Sequence, residues 1–309
     1  RYKEKFCFPS KKRINGNLIW FHGSSVGELL SILPLVQELE KNKSINQILV
    51  TTSTLSSAQI FKKFSFKKTY PQNEETLNYL KKLNVKKIQK IGTLKFFNNQ
   101  QSKLTKLDNT FLKNINLKKI WCASSTHPGE EIICANTHVK LKKKYKNLLT
   151  IIIPRHIHRV NKIVNEIKSL GLNIVLHSSR PKKLNNTDIY LVDTYGETQK
   201  FYQSSDIVFM GKSISGKGGQ NPLEPANLGS TVLYGPNVDN FKDTYKLLNK
   251  LKVAYKVNGV KSLTQSIDKL ITKPNNKKNY LKIAKMGKKI LNETKDEINT
   301  LLNDEIKKT

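Results

Sequence analysis

The sequence predicts an α/β protein built on doubly wound parallel sheets, and three observations carry that expectation. Apolar β-rich runs alternate with amphipathic helical stretches along almost the whole chain. Most of the strand-like runs are continuously apolar rather than alternating, as expected where helices cover both faces of a sheet. Ser, Thr, His, Arg, Glu and Gly gather just after those runs, where open parallel sheets bind ligands.

In chain order, strands are expected at NLIWFH (17–22), NQILVTT (46–52), KKIQKI (86–91), KKIWCAS (118–124) and NLLTIIIP (147–154). They continue at NIVLHS (173–178), DIYLVD (188–193), DIVFMG (206–211) and TVLYG (231–235). Helical patterns such as VGELLSILPLVQELEK, PGEEIICANTHVKLKKKY and DNFKDTYKLLNKLK lie between or after them. Right-handed crossovers of this kind make the strands parallel. The polar stretch NNQQSKLTKL (98–107) reads as a boundary, dividing the chain into domains 1–100 and 101–309. The second is expected to end in a basic amphipathic tail from about Asn276.

A length of 309 residues suits two such domains, and 37% hydrophobic with 25% charged residues is a globular composition. Lys+Arg 55 against Asp+Glu 23 gives a net charge of +32, for which nucleic acid and anionic membrane are the physical partners. Lysine knots such as KKLNVKK (81–87) and LKKKYK (141–146) are scattered, and Asn is abundant too, so part of the excess is compositional. Zinc-finger spacing, an RNP-like aromatic block and a basic region leading into heptads are all absent, so no specific nucleic acid is expected. Cys7, Cys122 and Cys134 have no paired spacing, which favours a reducing compartment. No apolar run approaches the ~18 residues of a membrane span. The chain opens on RYKEKF without a methionine or a visible signal peptide, and a segment upstream is expected.

The unusual residues sit at strand ends. SSVGE follows the first strand, SSTHPGEE follows WCA, PRHIHR follows TIII, DTYGE follows IYLV and GKSISGKGGQNPLEP follows IVFM. Singly, each has a bland meaning. Glu28, Glu130 and Glu131 complement helix starts, a matter of ~1 kcal/mol or less; His127 caps a helix; Arg155 and His156 form a solvated loop. Their common address argues for one site. The glycines of GKSISGKGG would let backbone N–H groups approach a phosphate. The P-loop is excluded because Gly218 stands where Ser or Thr must bind magnesium. A nicotinamide fingerprint, metal-ligand spacing and G-x-S-x-G are also missing, and Arg155-His156 with His158-Arg159 reads as anion binding.

In order, FHGSSVGE, TTSTLSSAQ, QNEETLNYLKKLNV, GTLKF, ASSTHPGEE, IIIPRHIHR, DTYGE and GGQNPLEPANLGSTVLYGPNVDNF resemble the 3-deoxy-D-manno-octulosonic acid (Kdo) transferases of lipopolysaccharide assembly. That resemblance implies a GT-B glycosyltransferase with an acceptor-side first domain and a CMP-sugar-binding second domain. It implies transfer of Kdo from CMP-Kdo to a lipid A precursor at the cytoplasmic face of the bacterial inner membrane, with an anionic membrane surface as a further partner. Glu28 falls on the family's base and Lys95 on its lysine for transition-state charge. Pro154, Arg155, Gly196, Glu197, Thr198, Asn221, Pro222, Leu223 and Glu224 fall on its CMP-binding blocks. Ser213 is a further candidate for phosphate contact. No metal or other cofactor is implied.

Two departures stand out. Gln220 replaces the family's usual His before the N-P-L-E block, and the chain jumps across 66–72 past an E-T-E-L-W-P block and several first-domain elements. The family's hydrophobic anchor is not in this sequence. A reduced, non-catalytic CMP-sugar or lipid-binding relative is the alternative, and a GT-B nucleotide-sugar epimerase is another.

Overall fold

The computed structural model describes residues 16–23, 26–52, 78, 81, 82, 94, 107, 109–181, 183–273 and 277–306. By contact the chain divides into two units, Arg1–Asn99 with Lys285–Thr309, and Gln100–Ala284.

In the first unit, β1 (Leu18–Gly23) and β2 (Gln47–Thr52) pair in parallel, Leu18 opposite Gln47 and Gly23 opposite Thr52. Between them runs α1 (Val26–Leu39), where Pro34 removes one donor from the helical ladder. Leu35 and Leu39, one turn apart, bury with Leu291 of the last helix against Ile19, Phe21 and Ile48. Asn42 Nδ2 donates to Asn299 Oδ1 at 3.1 Å nearby. The expected division at 100 assigns the whole tail to the second domain, whereas its residues from Lys285 onward group with the first.

The second unit runs α2 (Asn109–Asn116), β3 (Lys119–Thr126), α3 (Glu130–Lys142), β4 (Leu148–Pro154), α4 (Val160–Lys168), β5 (Ile174–Leu176) and β6 (Ile189–Leu191). It continues through α5 (Thr198–Gln203), β7 (Ile207–Met210), α6 (Leu223–Asn227), β8 (Thr231–Tyr234), α7 (Lys242–Lys250), β9 (Ala254–Lys256) and α8 (Val260–Leu270). The tail helix α9 (Lys277–Ile306) begins within it. Among the described residues its strands form a seven-stranded sheet, β5-β6-β4-β3-β7-β8-β9, parallel at every pairing. Every residue of β4 and β7 is buried, which is why these segments read as unbroken apolar runs. The helices bury narrow stripes instead: Ile163 and Ile167 of α4, Tyr245 and Leu248 of α7, Leu263 and Ile267 of α8. Those of α4 and α8 join Trp121, Ile152, Phe209 and Leu233 of the strands in one core cluster.

The expected strands of this unit form, mostly shorter than expected, and after NIVL the chain tightens into a 3₁₀ turn at His177–Ser179. Edge strand β9 was not foreseen; two of its three residues are exposed, so it carries no apolar run. KKIQKI lies outside the described residues. Cys122 and Cys134 are buried free thiols, and burial pushes both well above the usual thiol range, so each acts as a small hydrophobe.

The topology decides where a ligand can bind. After β6 the chain crosses the sheet to β7, and the strand order reverses between neighbours β3 and β7. The crevice outside the carboxyl ends of those two strands is the binding position of doubly wound sheets.

Candidate active site

The carboxyl ends of β6, β4, β3 and β7 stand side by side, and they deliver the DTYGE, PRHIHR, SSTHPGEE and GKSISGKGG segments to one edge. The two loops flanking the reversal are fastened to each other. Gly211 N donates to Ser124 O at 2.8 Å, and a Cβ on Gly211 would lie 2.4 Å from Ser125 O, so only glycine fits this approach. Ser125 and Lys212 both adopt left-handed backbone, with φ of 54° and 57°. Such strain persists where the surroundings enforce it, and binding sites are where it gathers.

Glu130 does the enforcing. Its side chain is fully buried, and one oxygen accepts from the N–H groups of Ser213 (2.9 Å), Ile214 (2.9 Å) and Ser215 (3.4 Å). The other accepts from Lys212 N (2.7 Å) and His127 N (2.9 Å). The backbone donors expected to cradle a phosphate are therefore filled by the protein's own carboxylate. Ser213 is corrected in the same way: it is fully buried, its Oγ donates to Met210 O at 2.5 Å and accepts from Gly235 N at 2.8 Å, and it braces the turn. Glu131, also buried, takes a two-pronged ion pair from Arg159 at 2.9 and 3.1 Å. Reading Glu130 and Glu131 as helix-start charges missed both roles. The available signal was a glycine-rich turn with more spare N–H groups than a neighbouring strand can use.

His127 does not cap α3, whose N-cap is Gly129 at φ 88° without a side-chain cap bond. Its ring Nδ1 instead meets Ser125 O at 3.1 Å. Beside it, the Arg155 amide donates to Thr126 O at 3.0 Å, drawing the β4 loop onto the end of β3. The His127 and His156 rings lie 5.6 Å apart centre to centre, as do those of His156 and His158. Arg155, His156 and His158 are exposed, and Pro154 is buried at the strand end. The hydroxyls of Thr126 and Thr194, at the ends of β3 and just beyond β6, are buried without a protein partner.

The other CMP-block residues gather around α5 and α6. Gly196 turns the chain at φ 83°, Glu197 pairs with Lys200 at 2.7 Å and Thr198 opens α5. Asn221 Oδ1 accepts from Leu223 N at 3.1 Å and so fixes the start of α6, with Pro222 and Leu223 buried behind it. Glu224 is exposed as a residue, but crowding around its carboxyl raises it above the usual range, against a hydrogen bond from Gln199 that pulls it down. That Gln199–Glu224 bond joins the 196–199 and 221–224 segments. His177 is held below the ordinary imidazole value by burial, although Glu197 and Asp193 act the other way, and its Nδ1 meets Tyr190 Oη at 2.7 Å. Glu28 lies in the first turn of α1, in the first unit. Lys95 lies outside the described residues. No helix among the described residues is long and apolar enough to cross a membrane.

Comparison with known proteins meets this geometry at the level of the family. Residues 1–66 match the family model described as 3-deoxy-D-manno-octulosonic-acid transferase (kdotransferase). The Haemophilus influenzae protein named 3-deoxy-D-manno-octulosonic acid transferase is 31% identical over 231 residues, covering 74% of this chain and 52% of that one. A Rickettsia bellii protein of the same name is 26% identical over 382 residues, covering 95% and 90%. The chain belongs to the Kdo transferase family. It spans about half the length of the Haemophilus relative and most of the Rickettsia one. Among solved structures, the Staphylococcus aureus MnaA-UDP co-structure superposes with a TM-score of 0.52 at 11% identity, covering 92% of this chain and 97% of that one. That likeness speaks for the fold alone, and the fold class of this Kdo transferase family member is GT-B-type α/β.

Proposed function

We propose that the chain transfers Kdo from CMP-Kdo to a lipid A precursor, with inversion, at the cytoplasmic face of the bacterial inner membrane. Support comes chiefly from one observation: the family's CMP-binding blocks converge on the carboxyl edge of a single parallel sheet, around the point where its strand order reverses. There Arg155 is exposed and unpaired among the described residues, suited to grip a phosphate in two-pronged fashion. Glu224 and Asn221 stand at the start of α6, where a carboxylate and an amide suit ribose hydroxyls. Glu28 serves as the base that takes the acceptor hydroxyl proton, and Lys95 stabilises charge developing at the leaving group. No metal is assigned a role, and Arg155 is the cation placed to meet a departing monophosphate. The basic surface, +32 overall, attracts anionic lipid and a phosphorylated acceptor at about 1 kcal/mol per well-placed lysine.

The experiment is a transfer assay paired with CMP titration. Glu28→Ala is expected to abolish transfer while leaving CMP affinity intact, and Arg155→Ala to weaken CMP binding at least tenfold, about 1.4 kcal/mol. Wild-type rates in the first variant would remove Glu28 from the base role. Unchanged CMP affinity in the second would remove Arg155 from the donor site. The jump at 66–72 favours a second reading, a CMP-sugar-binding relative without activity; CMP binding with no transfer by the unaltered chain would select it.

A further inference from the structure

Three imidazoles crowd the ends of β3 and β4 beside Arg155, and among the described residues no carboxylate pairs with any of these four. The groups acting on His156 are His127, His158, Arg155 and Arg159, all cationic or able to become so. The nearby carboxylates are engaged elsewhere, Glu131 on Arg159 and Glu130 on five backbone N–H groups. A metal is a poor explanation, because no group of histidine, cysteine and acidic side chains among the described residues has the arrangement to hold one. A row of rings able to take up positive charge, on an exposed edge beside Arg155, is completed by an anion.

We propose that His127, His156 and His158 seat the carboxylate of the donor sugar, next to an Arg155 that holds the nucleotide phosphate. The assignment rests on the donor reading above and specifies which group of the donor each cation meets. An ulosonic acid carries its carboxylate on the same anomeric carbon that bears the phosphate oxygen. Its two anions are therefore close neighbours, as Arg155 and the imidazole row are. CMP alone has no need of the row.

The hydrogen bonding adds a proton to the account. His127 Nδ1 lies 3.1 Å from a carbonyl oxygen, so in the neutral ring Nδ1 carries the hydrogen and Nε2 has none to give. To donate from Nε2 to a carboxylate the ring must gain a proton. Partial desolvation, then the surrounding cations, hold His156 below the ordinary imidazole value and so favour its neutral form in the free protein. Binding a carboxylate reverses the balance, and the sugar arrives with proton uptake that CMP does not require.

The test is calorimetric titration of CMP and of CMP-Kdo without acceptor, at about pH 6 and pH 8 and in buffers of different ionisation enthalpy. The proteins are the wild type and the exposed pair His156→Asn/His158→Asn. The double variant is expected to bind CMP within about twofold of wild type and CMP-Kdo about tenfold more weakly, as for loss of a charge-assisted contact. Wild type is expected to take up protons with CMP-Kdo alone, and its preference for CMP-Kdo over CMP to grow as the pH falls. Equal loss of both ligands would place the phosphate on the row and overturn the assignment, as would no loss of either. A wild type that binds neither ligand would instead defeat the donor reading itself, and this proposal with it.

Discussion

Helix α3 carries two buried polar clusters, one at each end, and they differ in what they hold. At its start, Glu130 and Glu131 face the carboxyl edge of the sheet and are satisfied by backbone N–H groups and Arg159. Towards its end, His138 and Lys142 face the Asp188 carboxylate near the opposite edge. Lys142 Nζ donates to it, Asn173 N donates to it at 2.9 Å, and His138 Nε2 lies 3.4 Å away. His138 Nδ1 meets Thr150 Oγ1 of β4 at 2.8 Å. The first cluster shapes loops that have no regular structure of their own; the second ties together elements already fixed by the sheet. Burial of charge thus serves site geometry at one end and interlocking at the other. The two should respond differently to substitution.

The largest effect is expected at Glu130. Glu130→Ala strands several buried backbone donors at once, each worth about 1–3 kcal/mol, so a loss on the order of 5 kcal/mol is expected by urea unfolding. Glu130→Gln keeps one acceptor oxygen and presents an NH₂ to the remaining donors, so about half that loss is expected. An alanine variant within about 1 kcal/mol of wild type would show that the turn holds itself, and the contrast between the two clusters would disappear.

The strands of the seven-stranded sheet and helix α7 were legible because their signals are local: unbroken apolar runs for β4 and β7, apolar residues three apart for α7. The site was legible as an address and not as a geometry. PRHIHR and STHPGEE follow their strands as expected, yet nothing local says that Glu130 reaches residues 212–215, more than eighty positions away. Ser213 is similar: its surroundings are set by Gly235 and Met210, which a one-dimensional reading does not bring together. The departure Gln220 is of the same kind, since the contact seen there uses its backbone carbonyl, which accepts from Tyr245 Oη at 3.0 Å.

Next in size is Arg159→Ala. Glu131 is completely buried and Arg159 is only 12% exposed, so removing the guanidinium leaves a carboxylate in the interior without its partner. Losses of about 3–4 kcal/mol are typical of a broken buried pair. Replacing both residues, as Glu131→Gln with Arg159→Met, is expected to recover more than half of that, because no unpaired charge remains. Failure of the double variant to recover would mean that Arg159 acts by packing rather than by charge. Either result sharpens the comparison, because the loop after β7 is held by Glu130 and not by this pair.

The opposite cluster gives the smallest effect and a different signature, dependence on pH. Burial first, then Lys142 and Lys118, lower His138 to about 4, while Asp188 acts to raise it. For Asp188, burial acts to raise the carboxyl, but Lys142, the Asn173 amide and His138 together outweigh it and leave it below the usual range. The folded state holds His138 neutral, whereas the unfolded chain protonates it below about pH 6.5. Stability from this source is complete above that pH and drains away as the pH falls towards 4, while the Asp188 contribution persists until more acidic conditions protonate the carboxyl. Between pH 7 and pH 5 the His138 share of the loss is about 2 kcal/mol. Urea midpoints at those two values should therefore converge in His138→Gln, apart from what the other histidines contribute equally to both proteins. An undiminished pH dependence in that variant would remove His138 from the account. It would then leave Asp188 held by Lys142 and the Asn173 amide alone.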